Sequence, residues 1–207
     1  MLRSQLIEQI IRQVYGNQPT DDASITPNLV NQFVNEGVGL AVKQNYRDSI
    51  QLDGVGYINN SFYLTFKGIT ISQDENFLWK IDLPQIPYGI GKNEGVSALR
   101  FKNSSKEISL PVIWLTQDQV NYYQSMPIVP NKTLAYYQSS SVYVISTIAL
   151  NLYTATVTMI SGGDSTNLSS KLNVPDDYIP IIVDYAVKAL MMARAQVKET
   201  ANDGESE

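Results

Sequence analysis

The sequence predicts an α+β fold: two N-terminal helices, a central antiparallel β-rich region, and a long C-terminal helix packed with the N-terminal helices. Three observations point to it. Apolar residues recur at close to every fourth position up to about residue 50, alternate every second position through the middle, and return to helical spacing after residue 175. Helices kept apart from hairpin-like strands favour α+β over alternating βαβ units. The chain is read as one domain over 1–207, with a helical part (1–50), a β-rich part (55–162), a helix (175–198) and an acidic tail (199–207).

The first helix has Leu2, Leu6, Ile10 and Val14 in one stripe, widened by Ile7 and Ile11. Arg3, Glu8, Gln9, Arg12 and Gln13 are assigned to its polar face. "YGNQPTDDAS" follows as a loop. At "ITPN" a second helix begins, with Thr26 as cap and Pro27 in the first turn, where a missing N–H costs nothing. Its seam, Leu29, Phe33, Gly37 and Ala41, contains two small residues and predicts close backbone approach, with helix one as the expected neighbour.

From about Asn60 the period becomes two. Phe62, Leu64 and Phe66 alternate with Tyr63, Thr65 and Lys67, and a turn at "SQDEN" leads to a second run in which Phe77, Trp79, Ile81 and Leu83 alternate with polar neighbours, predicting a hairpin. "SALRF", "EISLPVIWL", "SVYVIST" and "NLYTATVTMI" are further strands, with Pro111 marking an edge or bulge. In the last, Thr154, Thr156 and Thr158 take one face and Ala155, Val157 and Met159 the other. Thr116 caps a short helix, "QDQVNYYQS".

Composition excludes most familiar catalysts. The chain has no histidine and no cysteine, so Ser-His-Asp triads, Cys-His pairs and the usual zinc sites cannot form, and no cofactor is expected. Net charge is −5 with scattered cations, against the basic stripe of a nucleic-acid binder. The segment "MLRSQLIEQIIRQVYG" is too interrupted for a signal peptide or membrane span, and no membrane association is expected. Charged residues are only 17% of the chain, so its polar surface is mostly neutral and suits lasting protein contacts.

The remaining motifs read as structural. "GIGKNEG" matches neither phosphate-loop spacing. The acid pairs Asp21-Asp22, Asp74-Glu75 and Asp176-Asp177 sit at turns or a helix start, with Asp177 expected as N-cap, which leaves a carboxylate-based hydrolase the weakest alternative. Tyr122-Tyr123, Tyr136-Tyr137, Trp79 and Trp114 leave open a sugar-binding β-rich module using exposed Tyr or Trp, although such residues also build cores.

The segment "VPDDYIPIIVDYAVKALMMARAQV" is a helix that is apolar nearly all round. A helix of that kind is covered on most of its surface, and a neighbouring subunit is the expected cover. Tyr185, Leu190, Met191, Met192, Arg194 and Val197 are its candidate subunit or portal interface. The tail "KETANDGESE" is polar and acidic and is expected to be mobile in the free subunit, free to order on a partner.

Two N-terminal helices, a β-rich middle with "LPQIPYGIGKNEGVSALRF", the helix Pro175 to Leu190 and the ending Asn202-Asp203-Gly204 resemble head-to-tail connector proteins of tailed bacteriophages, podovirus-type, including crAss-like phage ring proteins. The resemblance implies a non-catalytic virion protein of the tail or neck, assembled in the host bacterial cytoplasm. It implies a ring of about twelve copies contacting itself, the portal protein and downstream tail ring proteins. Genome DNA would pass non-specifically through the lumen of such a ring.

Overall fold

The computed structural model describes residues 1–16, 25–90, 95–103, 107–108, 112–124 and 133–203, with side chains of the last helix up to Arg194. The chain forms two compact units. Met1–Phe62 and Gly162–Glu207 make a helical unit, and Tyr63–Ser161 make a β unit.

In the helical unit, α1 (Arg3–Val14) and α2 (Pro27–Asp53) both pack on α4 (Ile179–Asp203). Thr26 caps α2 as expected, its hydroxyl accepting from the Leu29 amide at 3.3 Å, and Gly54 ends the helix in the left-handed region at φ 70°. Val30, Val34, Val38 and Ala41 are fully buried along α2. The close approach expected at Gly37 is present, but its partner is α4 rather than helix one. A Cβ at Gly37 would lie 3.1 Å from the Ile182 Cα, so the missing side chain lets the two backbones come together. Contacts of Glu36 with Tyr185 and of Asp48 with Tyr178 show that α2 and α4 run antiparallel.

Two expectations need correction here. Arg3 is not on the polar face: it is fully buried. Its guanidinium donates to Asn31 Oδ1 at 2.8 Å, Asn35 Oδ1 at 2.6 Å and the Gly162 carbonyl at 3.1 Å, joining α1, α2 and the segment that leads back to α4. Asp177 does not cap an α-helix, because Asp176–Tyr178 form a separate 3-10 turn and α4 starts at Ile179. Proline at position 180, in the first turn of α4, removes no helical hydrogen bond.

The β unit is an eight-stranded sheet in the order β4-β3-β8-β1-β2-β7-β6-β5. Its strands are β1 (Tyr63–Gln73), β2 (Trp79–Asp82), β3 (Val96–Lys102), β4 (Glu107–Ile108), β5 (Val112–Trp114), β6 (Thr133–Gln138), β7 (Ser141–Ser146) and β8 (Thr154–Ile160). All neighbours pair antiparallel except β5 and β6, which are parallel and joined across α3 (Gln117–Gln124). The β1–β2 hairpin has the expected register, with Ile71 opposite Ile81 and Gln73 opposite Trp79. Phe77 belongs to its turn rather than to a strand: it is exposed, at φ 61°, while Asp74 Oδ1 accepts from the Asn76 and Leu78 amides.

Strand β1 serves both halves of the sheet. Tyr63–Thr70 pair with β8 and Ile71–Gln73 with β2, and a register shift between Phe66 and Ile69 falls at Gly68, φ 73°. A bulge with glycine in the left-handed region bends the strand there. One buried cluster runs across the sheet, from Val96, Leu99 and Phe101 of β3 through Val157 of β8, Ile71 of β1 and Ile81 of β2 to Val142 and Val144 of β7. The "EISLPVIWL" run splits into β4 and β5, which end the sheet at opposite edges; Pro111 lies outside the described residues. Strand β6 has no alternation to announce it. Thr133 to Tyr136 are all buried, with Ala135 in the main core and Leu134 and Tyr136 in a second cluster beside Val120 of α3.

Candidate subunit interface

Helix α4 turns one face inward. Ile182, Val183, Ala186 and Leu190 are buried, at the i, i+4 spacing of a single stripe. One subunit therefore covers much of the apolar surface, and the residue left over is specific. Met191 is 49% exposed and Met192 67% exposed, on the outer side of the helix. Fully covering a methionine side chain is worth about 1.5–3 kcal/mol, and thioethers adapt to irregular surfaces.

The other predicted interface residues are spread along the same helix. Leu190, 1% exposed, is part of the subunit's own core. Tyr185 donates from Oη to Glu36 Oε2 at 2.8 Å, which anchors it on α2; that bond to a carboxylate is the first cause of its raised pKa. Arg194 lies with its guanidinium 5.1 Å from the centre of the Tyr15 ring, a cation–π contact that ties α4 to the end of α1. Val197 is within α4, and its side chain lies outside the described residues. Lys188 pairs with Asp184 at 2.7 Å on the solvent side, with both side chains exposed, so it adds little stability.

A second apolar surface was not anticipated from the sequence. Leu52 is 82% and Val55 65% exposed where α2 ends, beside the half-exposed Tyr57. Their stretch is well ordered by hydrogen bonds: the Tyr57 amide donates to Ser49 Oγ, and Tyr57 Oη donates to Asp53 Oδ2 at 2.9 Å. Because α2 and α4 are antiparallel, the methionine pair and the Leu52–Tyr57 patch are at opposite ends of the helical unit. The 27 residues of α2 span about 40 Å.

Trp79 and Trp114 pack against the main core of the β unit, and Tyr136 stacks on Tyr143 with centroids 5.2 Å apart. Asp74 is used by its turn, Asp176 and Asp177 are exposed in the 3-10 turn before α4, and Asp21-Asp22 and Lys92 lie outside the described residues. Among the described residues no cluster of acids could hold a metal ion. Among them, too, no helix is long and apolar enough to cross a membrane.

A family model described as phage tail ring protein 2 matches residues 5–207. The chain belongs to this crAss-like phage ring protein family. No curated protein matches it. Family membership makes the chain a structural ring component of the virion tail, which assembles with other tail proteins. The ring protein exposes Met191 and Met192 on its C-terminal helix, and charged residues make up only 17% of its chain.

Proposed function

We propose that this ring protein forms a closed ring of about twelve copies in the head-to-tail connector, below the portal and above later tail rings, as a non-enzymatic conduit for genome DNA. The observation that carries the proposal is the Met191-Met192 pair, exposed on a helix that buries Ile182, Val183, Ala186 and Leu190, in a member of a ring family. A ring is made by heterologous contacts, in which each copy offers two different surfaces to its neighbours. The methionine pair and the Leu52–Tyr57 patch, at opposite ends of the helical unit, supply two such surfaces. The net charge of −5 suits a lumen through which DNA must slide without sticking. The two units would act together as one connector-type domain.

The test is the double variant Met191→Glu, Met192→Glu. Two carboxylates buried in the contact without partners would abolish assembly, while the exposed positions leave the monomer's melting temperature within a few degrees. Ring formation that survives the double change would show that α4 does not form the subunit contact.

A further inference from the structure

The outer side of α2 carries a stripe that the subunit leaves uncovered. Leu40, Lys43, Arg47 and Ile50 follow one another at spacings of three, four and three residues, so they lie along one face of the helix. All four are exposed, Leu40 at 42% and Ile50 at 43%, and Ile50 leads into the Leu52–Tyr57 patch. Among the described residues neither Lys43 nor Arg47 has a hydrogen-bond or ion-pair partner. The neighbouring carboxylates of the helix are engaged elsewhere: Glu36 accepts from Tyr185, Asp48 from Tyr178 and Gln44, and Asp53 from Tyr57.

The complementary charge is on the other side of the same helical unit, at the same level. Asp176 and Asp177, in the 3-10 turn before α4, are exposed, and their carboxylates also lack partners among the described residues. The third residue of the turn faces inward: the Tyr178 hydroxyl accepts from Asn45 Nδ2 at 3.1 Å and donates to Asp48 Oδ2 at 2.9 Å. A 3-10 turn sends its three side chains in three directions, so neither aspartate shares the direction of Tyr178. Exposed Pro180 and half-buried Ile179 follow directly, which gives the turn apolar surface as well as charge. Asn45 is two residues from Lys43 and two from Arg47, about 200° round the helix. The acidic turn is therefore on one side of α2 and the two cations are on the opposite side, at one height along its axis.

A heterologous contact needs two different, matching surfaces on each subunit, and it closes into a ring when the repeat does not climb from copy to copy. Surfaces at one height along α2 meet that condition for helices standing side by side. Duplex DNA fits the stripe less well, because two cations neutralise few phosphates and Leu40 and Ile50 would stay in water.

We propose that the Leu40–Lys43–Arg47–Ile50 face of one copy docks against the Asp176–Tyr178 turn of the next, with the two aspartates pairing with the two cations. The contact rests on the ring arrangement proposed above and names surfaces that would meet within it.

The chain has no cysteine, so introduced thiols are the only ones present. Full-length Arg47→Cys and Asp177→Cys are treated with a short bismaleimide, each alone and as a mixture made before assembly. A covalent dimer is expected in the mixture and not in either variant alone. No dimer in the mixture, or an equal yield from Arg47→Cys with itself, overturns the proposal. Charge reversal is the second measurement. Lys43→Glu with Arg47→Glu, or Asp176→Lys with Asp177→Lys, should weaken subunit association by about tenfold or more, and combining all four should recover it. The four positions are exposed, so melting temperatures should stay within a few degrees of the parent. A combined variant no better than either reversal overturns the pairing. So does loss of duplex retention on Lys43→Glu with Arg47→Glu at unchanged native mass, which assigns the face to DNA.

Failure of the ring reads differently. A ring that forms and is indifferent to both reversals overturns this contact and leaves the ring standing. A parent chain that stays monomeric by native mass, while the concentrated mixture still gives the cross-linked dimer, sinks the ring and supports the contact.

Discussion

Arg3→Met removes the guanidinium that joins α1, α2 and the Gly162 segment, while keeping much of the stem's volume. Three acceptors, Asn31 Oδ1, Asn35 Oδ1 and the Gly162 carbonyl, lose a charged donor in a fully buried place. Hydrogen bonds to a charged group contribute about 1.5–3 kcal/mol each and are not additive within one network. A net loss of about 4 kcal/mol is the resulting figure, close to the cost of breaking a buried ionic network. At about 2–4 °C per kcal/mol for a chain of this size, the melting temperature should fall by roughly 10 °C. Circular dichroism melts would measure the fall, and hydrogen exchange would place it. Amides of α1 and α2 should exchange faster, while those of β3, β7 and β8 keep their protection. Arg3→Lys should lie between, since one ammonium cannot serve three acceptors in the geometry of a planar fork. A melting temperature within 2 °C of the parent for Arg3→Met would refute the clamp, as would exchange that rises equally in the β unit.

Smaller effects follow from the caps and ion pairs. Thr26→Ala removes the oxygen that accepts from the Leu29 amide and should cost about 1 kcal/mol, or a few degrees of melting temperature, with Thr26→Ser restoring it. Asp82 accepts from Lys80 and from Ser141, and these bonds lower its pKa below 3.8. Its contribution is therefore present above the ordinary carboxylate value and is lost as pH falls through the lowered one. Asp82→Asn should lower the melting temperature slightly near neutrality and converge on the parent in acid, flattening the acid limb of a plot of melting temperature against pH; an unaltered limb would assign acid sensitivity elsewhere.

Legibility followed periodicity. Helices α1, α2 and α4 and the β1–β2 hairpin were readable because each has one covered face, and the threonine face of β8 was readable for the same reason. Strand β6 was not: with Thr133 to Tyr136 buried between two clusters, nothing alternates. Arg3 shows residue type overriding position. It shares the i, i+4, i+7 stripe with Ile7, Ile10 and Val14, so its spacing placed it inward while its charge argued outward. The neighbour of Gly37 could not be read, because a small residue announces close approach without naming what approaches. At the candidate interface, the sequence singled out the right stretch of α4 but could not separate buried Leu190 from exposed Met191 and Met192 on a helix apolar nearly all round. The Leu52–Tyr57 patch left no periodic trace, since Gly54 ends the helix within it.

Native mass spectrometry of the purified ring protein, alone and mixed with its portal, tests the central claim most directly. A species near 277 kDa, twelve times the 23.1 kDa chain, or the same increment added to the portal, is the predicted result. A 23.1 kDa monomer in both samples would contradict it, and would mean that one subunit leaves Met191 and Met192 in water.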